Sequence, residues 1–144
     1  MAEREQSYKS HRRYFPWHHF VVQPLLFANF IAQTVRLVND QSKWNVWQVV
    51  LASALVIFSF TSRSMSLRAQ DRVIRLEERM RLMQLMPGEQ SVIDGLRPGQ
   101  LIALRFASDA EAPALARRAA AGELQKGEAI KKEIQNWRPD YLRV

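Results

Sequence analysis

Residues 44–62 read WNVWQVVLASALVIFSFTS, nineteen positions without a charge, and from Val49 to Phe60 the run is interrupted only by small residues. An α-helix rises about 1.5 Å per residue, so roughly 20 such residues cross the hydrocarbon of a bilayer. Length and continuity make 44–62 a membrane span. Upstream, residues 20–38 read FVVQPLLFANFIAQTVRLV, equal in length but weaker, because Gln23, Asn29, Gln33 and Arg36 lie within it. Asn39, Asp40, Gln41, Ser42 and Lys43 connect the two in a short polar turn, which forces the spans antiparallel. From Phe20 to Ser62 the only charges are Arg36, Asp40 and Lys43. The expected fold class is therefore all-α, built on a transmembrane helical hairpin.

Orientation follows from lysine and arginine close to the span ends. Arg4, Lys9, Arg12 and Arg13 precede the first span, and Arg63, Arg68, Arg72 and Arg75 follow the second. The connecting turn offers only Lys43. Both termini are expected on the cytoplasmic side, which for a bacterial protein is the inner membrane. Aromatic residues agree, with Tyr14, Phe15 and Trp17 at one interface and Trp44 and Trp47 at the other. Contact with anionic lipid and the membrane interface is expected at Arg12, Arg13, Trp17, Trp44, Trp47, Arg63, Arg68 and Arg72. A cleaved signal sequence fits residues 20–38 poorly: no small-residue cleavage site follows, and a second span comes at once.

Asn29, Gln33 and Arg36 fall at i, i+4 and i+7 on one helix face. Unpaired polar groups are costly in lipid, so this face is expected to pack on protein, with Gln48, Ser53 and Ser59 as partners on the second span. Arg36 lies near the outer interface, where its long stem can carry the charge to water. Pro24 is expected in the first turn of its helix, where a missing amide hydrogen costs little.

Nothing breaks the helix from Arg63 to Met86, and Pro87-Gly88 stops it. The second span is expected to continue through this stretch as an amphipathic cytoplasmic helix. Ala69, Val73, Leu76, Met80 and Met83 recur at spacings of 4, 3, 4 and 3, a short heptad stripe expected to contact protein. The C-terminal residues are expected to dock on it. Arg68, Arg72, Arg75 and Arg79 follow the same rhythm alongside, suited to anionic headgroups.

Residues 87–144 hold nine basic and eight acidic residues, so most of the net +7 of the whole chain comes from the two flanks of the apolar block. This segment is expected to form a small helical bundle. Pro98 suits the start of a helix through Leu101, Leu104 and Phe106. Ser108 with Glu111 matches a capping box opening a helix that ends near Gly122. Ile130, Ile134, Trp137 and Tyr141 repeat at helical spacing. The domain plan is thus 1–19, 20–62, 63–86 and 87–144.

The chain has no cysteine. Disulfides, thiolate metal sites and cysteine nucleophiles are therefore excluded. Its three histidines are His11, His18 and His19. His18 and His19, where the first span enters the membrane, are weak candidates for haem, lacking an evident second ligand. No cofactor, metal site or catalytic group is expected, and there is no Gly-rich phosphate loop. Acidic residues interleaved among the arginines make nucleic acid an unfavoured partner.

Three segments carry a resemblance: QDRVIRLEER at 70–79, QLIALRFASD at 100–109 and NWRPD at 136–140. Together, and in this order, they resemble an uncharacterised bacterial family, a domain of unknown function, of small proteins with two spans. The resemblance reaches from the Tyr8 region to Val144. It implies the topology and supplies no activity or site residues.

The expected function is that of a non-enzymatic membrane protein working by assembly, as a homo-oligomer or as a small accessory subunit of a larger inner-membrane complex. Its expected partners are other membrane subunits and anionic lipids. An oligomeric pore is a variant of this reading. Alternatives from other classes are a membrane-tethered nucleic-acid binder and a haem- or metal-binding electron-transfer subunit using His18 or His19.

Overall fold

The computed structural model describes Tyr8 and residues 15–140. Their contacts divide them into two units, 15–68 and 69–140 with Tyr8.

In the first unit a π-helical turn, Trp17–Val22, passes directly into α1, Gln23–Asn39. The two form a 23-residue helix, Trp17–Asn39, three residues longer at its start than the apolar run suggests. The wide turn has a local cause. Pro24 carries no amide hydrogen, and its ring crowds the carbonyl four residues back, that of Phe20. Opening the turn lets the Gln23 N–H reach His18 O, five residues back, in π register.

The helix ends at Asp40, whose backbone is extended (φ −140°, ψ 104°). Next comes α2, Lys43–Leu85. Ser42 caps it, accepting at Oγ from the Asn45 N–H at 3.3 Å, as an N-cap serine does. The Asn45 side-chain amide closes the turn by donating to the carbonyl and carboxylate of Asp40 at 2.8 and 3.0 Å. Trp17–Asn39 and Lys43–Leu85 are both long and apolar enough to cross a membrane, and only 6% of each apolar window is buried. Within the hairpin Ala52 and Ser59 are the buried positions. Small residues there let the two backbones approach.

The second unit comprises the end of α2 with α3 (Gln90–Asp94), α4 (Pro98–Leu104), α5 (Ala112–Ala120) and α6 (Gly127–Glu133). Leu82, Met86, Ile93, Leu101, Leu104, Phe106 and Ile130 fill its core. α2 stops within a residue of the expected place. Pro87 follows its last turn, and Gly88 takes the left-handed φ of +89° that reverses the chain. Gly122, also at +89°, closes α5: Gly122 N–H bonds to Ala119 O and Glu123 N–H to Arg118 O, a Schellman pair.

Three local expectations are corrected. The short helices do not dock on the Val73–Met83 stripe. They pack on Ile74, Glu78, Leu82 and Met86, another face of α2, all 7% exposed or less. That face also carries Arg81, whose side chain binds across the interface.

The Ser108–Glu111 capping box does not form. Ser108 Oγ is buried without a hydrogen bond, and Glu111 accepts instead from the Asn136 N–H at 3.0 Å and side-chain amide at 2.7 Å.

Trp137 is not helical, because Ile134 turns extended (ψ 120°) after α6. Trp137 instead pairs in an antiparallel bridge with Ala107, and its ring meets Phe106 at 5.1 Å. Tyr141 lies outside the described residues.

Candidate functional site

Among the described residues one surface in each unit bears on function. In the hairpin Gln23 and Ser59 make a polar contact between the helices. Gln23 Nε2 donates to Ser59 Oγ at 3.1 Å, and lies 3.2 Å from His18 Nε2. A groove of about 330 Å³ runs beside this bridge, lined by His18, Ser59, Ser62 and Arg63 together with Leu26 and Phe58. The groove thus joins apolar walls to a cationic group.

The other polar residues of the spans behave differently. Gln33 donates to Asn29 Oδ1 at 3.2 Å along the same helix, and Asn29 and Arg36 are exposed. Gln48 is half-buried. Ser53 satisfies itself on Val49 O, one turn back on α2. The Asn29 face therefore has its hydrogen bond within α1, and the bridge between helices lies one to two turns nearer the start of the chain.

His18 and His19 stand edge to face with ring centroids 5.1 Å apart, and His19 Nδ1 sits 2.9 Å from Phe15 O. Met65 is exposed. Among the described residues no three His, Asp or Glu side chains gather as a metal site.

Trp17, Trp44 and Trp47 are all more than half exposed, at 69%, 67% and 56%. Arg63 is half-buried, whereas Arg68 and Arg72 are exposed. Arg12 and Arg13 lie outside the described residues.

In the second unit the stripe stands clear of the bundle. Val73, Leu76, Met80 and Met83 are 55%, 61%, 55% and 44% exposed. The opposite face of α2 is held by an ionic network that sequence periodicity passes over. Glu78, 3% exposed, receives Arg81 Nη1 at 2.9 Å. The same guanidinium donates through Nη2 to Ala107 O at 2.8 Å and through Nε to Asp109 Oδ1, also at 2.8 Å. Burial raises the Glu78 carboxyl above its ordinary range, and Arg81 opposes that shift. The fork of Arg81 thus ties α2 to the turn after α4.

Gln100, 3% exposed, does similar work between α4 and α5. Its Nε2 donates to Ala119 O at 3.0 Å and Leu124 O at 2.9 Å, while its Oε1 accepts from the Arg97 N–H at 2.7 Å. These three bonds all hold backbone groups. These networks hold the short helices against one another, and the stripe is an exposed apolar face of the unit.

A family model described as a family of unknown function matches residues 1–144. No curated protein and no solved structure matches the chain.

Proposed function

Because the chain belongs to DUF6526, a family of unknown function, we propose its role from its own surfaces: a non-enzymatic integral membrane protein that works by assembly. The observation that carries this reading is the exposure of the hairpin. Two helices of membrane-spanning length bury only 6% of their apolar windows within the chain. Soluble proteins rarely leave apolar area on this scale in water. Lipid or neighbouring subunits are the solvents that fit it.

The charge pattern supports a bacterial inner-membrane location with both ends cytoplasmic. Arg63 and Arg68 would then meet anionic headgroups, at about 1 kcal/mol for each cation near the surface. The folded second unit with its bare stripe supplies a cytoplasmic contact surface. A homo-oligomer and an accessory subunit of a larger complex both use these parts.

Native mass spectrometry after mild detergent extraction tests the reading. Identical subunits in a defined number, or stable co-purification with larger subunits, is the expected result. A lone monomer would overturn the assembly role. Reporters placed at Ser42 and after Asp140 should fall on opposite sides of the membrane, and the same side for both would overturn the hairpin topology.

A further inference from the structure

We propose that the Val73–Met83 face of α2 pairs with the same face of a second copy of this chain, the two helices running parallel. The proposal rests on the assembly reading and specifies its contact.

In heptad register Val73 and Met80 take position a, and Ala69, Leu76 and Met83 take position d. The residues that the bundle covers, Ile74, Glu78, Arg81, Leu82 and Leu85, take positions b, f, b, c and f. Position f lies directly across the helix from the a/d seam. The bundle therefore occupies the back of the helix and leaves the seam open along its length, with its large side chains 44–61% exposed.

The flanking charges choose the partner and its direction. Positions g hold Arg72 and Arg79, and positions e hold Gln70, Glu77 and Gln84. In a parallel pair, position g of one helix faces position e five residues on in the other. Arg72 then meets Glu77 of the second copy, twice by symmetry, and Arg79 meets Gln84. An antiparallel pair would set g against g and e against e, bringing arginine to arginine and glutamate to glutamate. Arg72 and Glu77 are both exposed, and among the described residues neither has an ion-pair partner.

Two heptads bury too little for a stable dimer in free solution. Copies confined to one bilayer with the same topology meet at high effective concentration and with their chains in the same sense. The contact needs no more area than the stripe provides.

The absence of cysteine makes the test direct. Val73→Cys and Met83→Cys, each introduced singly into the full chain in its native membrane, should form same-residue disulfide dimers on mild oxidation. The exposed off-stripe variant Ser91→Cys should not. Adding Glu77→Arg to Met83→Cys should lower the dimer yield by about fivefold, the scale of turning exposed attractions into repulsions. Adding Arg72→Glu as well should restore it.

Cross-linking of Val73→Cys or Met83→Cys no faster than Ser91→Cys would overturn the proposal, as would cross-linking to a different protein. A charge reversal without effect, or without rescue, would overturn the parallel arrangement. If native mass spectrometry still shows an oligomer in the first case, only this contact fails. A lone monomer removes the assembly reading with it.

Discussion

Gln23 and Ser59, thirty-six positions apart in sequence, share a 3.1 Å hydrogen bond that links the two apolar helices. In an apolar solvent neither group finds water on separation. Removing one partner leaves the other to search for a new one within the hairpin, which moderates the loss. Gln23→Leu and Ser59→Ala should each weaken hairpin association by roughly 1 kcal/mol, with a coupling of about 0.6 kcal/mol in the double-mutant cycle. Equilibrium unfolding in detergent micelles measures both. Additive losses would show that the bond contributes nothing of its own.

Gly127 is held where a side chain does not fit. A Cβ there would lie 2.6 Å from Gly99 O and 3.2 Å from the Ala103 Cβ. Gly127→Ala should therefore push α6 from α4 and cost about 1–3 kcal/mol, as overpacked cores do. Gly99→Ala is the matched control. Its Cβ meets nothing within 4 Å, so denaturation midpoints should separate the two neighbours clearly.

Arg81→Met should destabilise the second unit by about 3 kcal/mol, because it strands the buried Glu78 carboxylate. Pairing it with Glu78→Leu should recover most of that loss, since a buried ion pair and an apolar pair of similar volume are often close in stability. Thermal unfolding of the single and double variants measures the difference. A double variant as unstable as Arg81→Met would mean that the links from Arg81 to Ala107 and Asp109 dominate.

Glu78 also predicts a dependence on pH. Its carboxyl is raised by burial. Between the ordinary carboxylate value and that raised value, the folded chain holds a proton that the unfolded chain has released. Stability from this group therefore falls as pH rises across the window. Relative to wild type, Glu78→Gln should gain stability as pH is raised from the acid side, and the gain should level off above the raised value. Denaturation midpoints of both proteins on a pH series check it. A constant difference would show that Glu78 titrates alike in both states.

The hairpin was plain in the sequence because lipid accepts only a continuous apolar length, and 44–62 supplies it without a charge. The docking face of α2 was not. Apolar residues lie on two sides of that helix, and a heptad count selects Val73, Leu76, Met80 and Met83. The bundle uses the side holding Glu78 and Arg81, which any hydropathy pattern scores as solvent. Ser108 and Glu111 misled for a related reason. The spacing is local, whereas Glu111 is engaged by Asn136, twenty-five residues on. Trp137 continues the period of Ile130 and Ile134, yet the chain leaves the helix at Ile134 to pair with Ala107. The bridge Gln23–Ser59 was legible only as two polar residues among several, since depth along the hairpin decides which of them meet.

The π turn at Trp17–Val22 is an α-helix carrying one surplus residue. Deleting a single position there would let the segment relax into ordinary α geometry and leave everything from Gln23 onward unmoved. The same deletion after Pro24 would turn Gln23 by about 100° relative to the rest of α1 and carry it away from Ser59. The chain thus has a place where its length can change without disturbing the match between its two helices, and insertions or losses among natural variants are expected to collect there.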